Sequence, residues 1–256
     1  MKITALTENT SRNGLPVEHG LSLFIEVAGR AILFDTGKSN LFAENAARIG
    51  IDLSRVDFAV LSHGHYDHGG GLKKLFEINK KAPVYISRYA FEPHFNGEKY
   101  IGLDVSLKEN PRFILTDGET LIAEGLTLFS CNEKERGDAP GAAGLTVERS
   151  GERLQDDFRH EQYLLIEENG KRVLISGCSH KGIMNIAEWF KPDILVGGFH
   201  FFRLPVDSAL KDYARRLDGY DTVYYTCHCT GTEQYEGMKP HMRRLNYISA
   251  GDTVII

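Results

Sequence analysis

Within six residues, His63-Gly64-His65-Tyr66-Asp67-His68, the chain gathers three imidazoles and a carboxylate. All four are side chains that bind transition-metal ions. They come directly after the apolar run Phe58-Ala59-Val60-Leu61, so the loop leaves the end of a buried strand. Residues two apart on an extended segment point to the same side, which lets His63 and His65 hold one ion together. Once the chain turns, Asp67 and His68 can face a second ion close by. Gly69-Gly70-Gly71 follows, leaving room for close backbone approach and for the turn into a helix. The competing reading is a solvated loop rich in histidine. Four ligands in six positions after an apolar strand favour the metal site.

The elements that must position this loop read as follows. Strands are expected at 21–28 and 31–34, then a helix near 41–49 with Ser39 or Asn40 as its cap. A strand at 58–61 delivers the histidine loop, and a helix at 72–81 leaves it. Segments 163–167 and 172–176 flank Glu168-Asn169-Gly170-Lys171, a strong hairpin signal because Asn-Gly suits a tight primed turn. A helix at 182–190, a strand at 193–196, a helix near 208–217 and a strand at 222–226 complete the pattern. The order ββαβα followed by ββαβαβ is a rough internal duplication. Two such halves can bring two sheets together with helices outside, an α/β four-layer αββα sandwich in which ligands gather where strands of both halves end. Residues 132–158, rich in Gly, Glu and Arg, read as a long surface loop over the pocket. No low-complexity linker divides the chain, so residues 1–256 are expected to form a single domain.

Composition agrees with a soluble enzyme-sized unit. The 256 residues are 42% hydrophobic and 25% charged, enough for a substantial core. A net charge of −5 without a dense Lys/Arg stripe argues against nucleic acid as a partner. The first residues lack the apolar stretch of a signal peptide, and no run is long enough to span a membrane. Cys131, Cys178, Cys227 and Cys229 form no CxxC pair and no disulfide framework. A cytoplasmic location is expected, which counts against antibiotic hydrolysis. Oligomeric state is open.

HGHYDHGGG after an apolar strand resembles the metal-binding motif of the metallo-β-lactamase superfamily. Further stretches narrow the resemblance: EHGLSLFIE at 18–26, LFDTG at 33–37, GCSHKGIMN at 177–185, GGFH at 197–200 and HCTG at 228–231. Together they resemble the branch of 7,8-dihydropterin-6-methyl-4-(β-D-ribofuranosyl)aminobenzene-5'-phosphate synthase-like proteins, over nearly the whole chain. The resemblance implies the metallo-β-lactamase fold and two divalent transition-metal ions, zinc first, with Mn2+ or Fe2+ as alternatives.

Two ions need more donors than one loop supplies. His228, after Val223-Tyr224-Tyr225-Thr226, resembles the superfamily's last ligand. If that strand persists, Cys227 and Cys229 point away from it and are small buried fillers. Most of the superfamily carries a bridging aspartate where this chain has Cys178. Zinc accepts thiolate readily, so Cys178 is either a ligand or an inert buried thiol. His180, two residues on, faces the same way in an extended turn and is preferred as a ligand. His160 competes for that place, 18 residues before Cys178, but FRHEQ lacks the usual glycine-rich turn and a surface histidine fits it better. His200, after two glycines, is expected to touch substrate, with His19 a weaker candidate for the same role. His94 and His241 read as surface residues. Asp35 more naturally orients the ligand loop by hydrogen bonds than binds metal.

The chemistry follows from these roles. Water held by two ions would be deprotonated near neutral pH, and the ions would polarise the electrophilic oxygen of the substrate. Asp67 would bind metal and position the nucleophile, while His200 would donate a proton to the leaving group. A small, phosphate-bearing substrate is expected: the helix starting near Lys181 and Gly182 would turn its free N–H groups toward the pocket, with Lys181 beside them. No Walker loop or dinucleotide fingerprint is present. Three functions compete: a hydrolase of a small ester or phosphoester, the transferase implied by the closer resemblance, and a catalytically silent metal-binding protein. The transferase would join a dihydropterin methyl diphosphate to a ribofuranosylaminobenzene phosphate. The full ligand set disfavours the silent protein.

Overall fold

Alternate residues of the N-terminal strands are buried on opposite sides. Ile3, Ala5, Leu23, Ile25, Ile32 and Phe34 enter a central core, whereas Leu6, Phe24 and Leu33 enter an outer one. A sheet covered on both faces reads as nearly continuous apolar runs, which is how these segments appear in the sequence. The computed structural model describes residues 1–137, 139–141 and 143–256. Its first sheet has seven strands in the order Thr253–Ile255, Lys2–Thr7, Ser22–Val27, Arg30–Phe34, Phe58–Val60, Val84–Ser87, Phe113–Thr116. The second also has seven: Leu245–Tyr247, Val223–Thr226, Ile194–Val196, Lys171–Ile175, Tyr163–Glu168, Leu126–Phe129, Glu119–Ala123.

The central core lies between the sheets, joining Ile3, Ile25 and Phe34 to Leu164, Ile166, Val173 and Val196. Helices Leu41–Arg48 and Leu72–Ile78 cover the outer face of the first sheet. Ile183–Phe190, Ser208–Asp218 and Thr232–Met238 cover that of the second. The result is the four-layer αββα sandwich. The cap of Leu41–Arg48 is divided: Asn40 occupies the cap position without a side-chain bond, and Ser39 Oγ accepts from the Leu41 N–H at 3.2 Å. The Asn169-Gly170 turn has φ of 52° and 75°, as a primed hairpin turn requires, and pairs Glu168 with Lys171.

Part of each sheet is parallel. Arg30–Phe34, Phe58–Val60, Val84–Ser87 and Phe113–Thr116 run together, as do Lys171–Ile175, Ile194–Val196, Val223–Thr226 and Leu245–Tyr247. The histidine loop, the 177–180 turn, His200 and the 227–230 turn all follow the carboxyl ends of these strands, the usual place for a site in such sheets.

Residues 132–158 are not simply a surface loop. Leu145–Arg149 and Glu152–Gln155 form a hairpin that joins His94–Asn96 and Lys99–Tyr100 in a third, antiparallel sheet. Leu145, Ile101 and Phe158 pack with Tyr66 at its inner side. This sheet depends on pairing across about fifty residues, which local patterning does not reveal. The strands Lys2–Thr7, Phe113–Thr116, Glu119–Ala123 and Leu126–Phe129 also lay outside the sequence reading. Among the described residues no helix is long and apolar enough to cross a membrane.

Candidate metal centre

The strand Phe58–Val60 ends against the turn after Lys171–Ile175, so the histidine loop meets Cys178 and His180 from the other sheet. His63, His65, Asp67, His68, Cys178, His180 and His228 are each at most 8% exposed. They sort into two overlapping groups. His63, His65 and His180 offer donor atoms within 4.8 Å of one another, with 3.3 Å between the Nε2 atoms of His63 and His180. His68 and His228 bring their Nε2 atoms to 3.1 Å, and Asp67 Oδ2 lies 3.6 Å from His228 Nε2. Cys178 Sγ stands between the groups, 3.2 Å from His68 Nε2 and close to His63.

These spacings fit a metal. Ligands about 2.05 Å from a tetrahedral ion stand roughly 3.3 Å apart. Two buried imidazole nitrogens at that distance from each other can share at most one proton, whereas an ion between them satisfies both lone pairs. Burial and the crowding of neighbouring imidazoles hold His63, His65, His180 and His228 well below the ordinary histidine range, leaving neutral rings with lone pairs free for an ion. Asp67 is also buried, which alone would raise it. The His19 hydrogen bond and the flanking His68 and His228 rings hold it well below the usual carboxylate range. Burial and the nearby Cys229 push the Cys178 thiol well up, so only an ion would draw a thiolate from it.

The donors are held from behind. Asp35 Oδ2 accepts from His68 Nδ1 at 2.6 Å and from Ser62 Oγ at 2.7 Å, while Oδ1 accepts from the Ser62 N–H at 2.7 Å. Burial works against a charged His68, yet the adjacent Asp35 carboxylate raises it. Asn9 Oδ1 holds His228 Nδ1 at 2.8 Å, and Asn9 Nδ2 reaches His19 Nδ1 at 3.2 Å. Buried Glu8 accepts from the His228 N–H at 3.1 Å. Glu161 accepts from the N–H groups of His180 and Lys181 at 2.7 and 3.0 Å. Asp35, Ser179, His200 and His228 all adopt positive φ, between 49° and 60°. Such backbone conformations at non-glycine residues are a form of strain that functional sites often hold.

Gly70 and Gly177 meet the need for close approach. A Cβ would stand 2.1 Å from Lys38 O at the first and 2.3 Å from Ser62 Oγ at the second.

The donors open onto a small cleft of about 170 Å³. His19, His200, Tyr66 and Phe202 line it, together with Lys99 and Arg203, two cations that the sequence reading missed. Lys99 Nζ donates to Tyr66 Oη at 3.2 Å, and the Arg203 guanidinium lies 5.2 Å from the Phe202 ring centre. Nothing local distinguishes these cations from other surface charges.

Several expectations need correction. Lys181 does not reach this cleft: it is fully buried, and its ammonium bonds the carbonyls of Ser130 and Glu161. Burial lowers it to about 8. The N–H groups of His180 and Lys181 are taken by Glu161 and that of Gly182 by Ser179, so these three are not free to meet a phosphate. His94 and His160 are fully buried, not surface residues. The strand before His228 ends at Thr226, which brings Cys229 beside Cys178 and His228, whereas Cys227 enters the central core. His200 lines the cleft, but burial lowers it to about 4. At neutral pH it is an uncharged imidazole that can contact substrate but is a weak proton donor to a leaving group.

The fold brings these donors together into groups that could hold metal ions. The family model for the metallo-beta-lactamase superfamily matches residues 15–228, and the chain belongs to that superfamily. It is 32% identical over 241 residues to an uncharacterised protein of Methanocaldococcus jannaschii, covering 90% of each chain. It is 30% identical to the 7,8-dihydropterin-6-methyl-4-(beta-D-ribofuranosyl)-aminobenzene-5'-phosphate synthase of the same organism, covering 90% of this chain and 88% of that one. The crystal structure of Tm1679, described as a metal-dependent hydrolase of the beta-lactamase superfamily, superposes with a TM-score of 0.85 at 31% identity, covering 100% and 99%.

Proposed function

We propose that this chain is a dinuclear metal-dependent hydrolase of a small anionic ester, a phosphoester first. His63, His65 and His180 would hold one ion, and Asp67, His68 and His228 the other, with Cys178 between them. The observation that carries the reading is this pair of donor groups at the floor of a cleft whose walls bear Lys99 and Arg203. Imidazoles with one thiol favour zinc, with Mn2+ or Fe2+ as alternatives. When bound, the ions would supply an activated water and a Lewis acid for the scissile bond. Asp67, bonded through Oδ2 to His19 Nε2 at 3.2 Å, would fix the direction of attack. His19 and His200 would contact substrate, and Lys99 and Arg203 would bind its anionic group.

The test is metal analysis of protein purified without chelators, followed by a panel of phosphomonoesters, phosphodiesters and lactones. Two ions per chain and turnover of an anionic ester are expected; a metal-free protein that takes up no zinc would refute the reading. The second reading is the transferase, favoured by the 30% identity to the synthase over 90% of the chain. In it the same centre binds diphosphate as leaving group. Diphosphate release from a dihydropterin methyl diphosphate, only when the arylamine ribose phosphate is added, would establish it over hydrolysis.

A further inference from the structure

His65 has two faces. One side of its ring lines the cleft, while its Nε2 is sealed from solvent without a hydrogen-bond partner. Behind it lies a second buried cluster, His94, Asp156 and His160, delivered by the third sheet and the segment after it. Donor atoms of these three residues and of His65 lie within 4.8 Å of one another. His94 Nδ1 is 2.8 Å from Asp156 Oδ2, and His160 Nε2 is 3.4 Å from the same oxygen. The His94 ring stands nearly perpendicular to that of His65, 76° at 5.4 Å between centres.

Proton positions follow from the partners. The Gly64 N–H donates to His160 Nδ1 at 2.8 Å, so that nitrogen is bare and a neutral His160 carries its proton on Nε2, near Asp156 Oδ2 but not hydrogen-bonded to it. A ring so arranged has no lone pair left for an ion, which removes His160 from the ligands. The Asp156 carboxylate, held well below its usual range by the two histidines despite its burial, can only accept; His94 therefore donates from Nδ1. That leaves His94 Nε2 bare, buried and without a partner. His65 Nε2 and His94 Nε2 are thus both buried and unpaired in one cluster, with no hydrogen bond between them in this structure, and a proton on the first facing the second would satisfy both.

We propose that Asp156 and His94 form a positioning relay that holds His65 as the Nε2–H tautomer, leaving its Nδ1 lone pair for the ion in the cleft. His160 ties this cluster to the backbone of the histidine loop through the Gly64 N–H. Through His94 the third sheet thereby contributes to the metal centre, in addition to the contact proposed between Lys99 and the substrate. The relay rests on the reading that His65 is a metal ligand. Orienting partners behind ligating histidines commonly contribute 10- to 100-fold in metal affinity.

Two measurements test it. In wild-type protein, long-range nitrogen–proton NMR of the imidazoles, with and without zinc, reads the tautomers directly. His65 protonated on Nε2 and His94 on Nδ1 are expected; His65 protonated on Nδ1 would overturn the relay. In competition with a chromophoric chelator, Asp156→Asn should weaken one zinc by about 10- to 100-fold and leave the other unchanged. An amide facing His94 Nδ1 would reverse that ring and set two N–H groups against each other. Asp156→Asn with His94→Ala should then be no worse than His94→Ala alone, and His94→Gln should recover part of the loss. Folded variants with wild-type affinity for both ions would refute the relay. Three ions in wild type, falling to two in His94→Ala, would replace it with a metal site. If wild type binds no metal at all, the proposed function fails first.

Discussion

Asp35→Asn is the most informative single change outside the donor set. Asp35 is buried and accepts three hydrogen bonds, from Ser62 N–H, Ser62 Oγ and His68 Nδ1. Removing the side chain would leave three buried donors unpaired, at about 1–3 kcal/mol each. The sum, roughly 3–9 kcal/mol, rivals the whole stability of a typical domain, so Asp35→Ala is expected to fold poorly. Asparagine keeps the volume and tolerates the φ of 60° at this position. Its amide can accept from the Ser62 N–H but then turns an NH2 toward His68 Nδ1. His68 must surrender that proton and carry it on Nε2, the nitrogen that faces His228 and Cys178. The expected loss is about 10- to 100-fold in affinity for the ion His68 serves, about 1.4–2.7 kcal/mol, with the other ion unaffected. Titration of chelator-stripped protein with zinc, alongside circular dichroism, measures both quantities. A well-folded variant that binds both ions as tightly as wild type would refute the assignment of Asp35 as the orienting group.

His180→Ala should lower the zinc content from two ions to one. Cys178→Ser should retain both ions with weakened binding; equal retention in both variants would remove the 177–180 turn from the ligand set. Asp67→Asn should cut turnover by two orders of magnitude or more while metal-free protein melts normally, and full activity would exclude it as the positioning carboxylate. Lys99→Ala and Arg203→Ala should each raise KM for a phosphoester by roughly tenfold or more and leave a neutral lactone unaffected, consistent with charge-assisted bonds of about 1.5–3 kcal/mol. Metal-free protein should lose stability as pH falls from about 6.5 toward 4. His160 and His200 sit at about 4 when folded, so the unfolded chain takes up their protons first, worth about 1.4 kcal/mol per pH unit for each group. The raised His68 does not oppose this trend, because its contribution is complete below its unfolded value and is lost only as pH rises. A flat melting profile across that range would contradict the buried neutral histidines.

The sequence by itself determined the parts of this protein that are written within a few residues. The histidine loop was legible because four donors fall in six positions after an apolar strand, and two-residue spacing states which side they face. Asn169-Gly170 specified a hairpin because its positive φ angles belong to few residue types. The duplicated order of strands and helices, with apolar runs covered on both faces, led to the αββα sandwich. Tertiary structure alone decided which distant groups serve the loop. Asn9 meets His228 across 219 residues, and His94 meets Asp156 across 62. Lys181, expected at the pocket, turned inward because Ser130 and Glu161 offer its ammonium buried carbonyls. Lys99 and Arg203 reached the cleft from a strand of the third sheet and from a separate loop, with no pattern to announce them. Periodicity reports the direction of a side chain relative to its own element. It carries no record of the partner across the fold, and that partner decides whether a buried histidine or lysine is held, oriented or left open to a ligand.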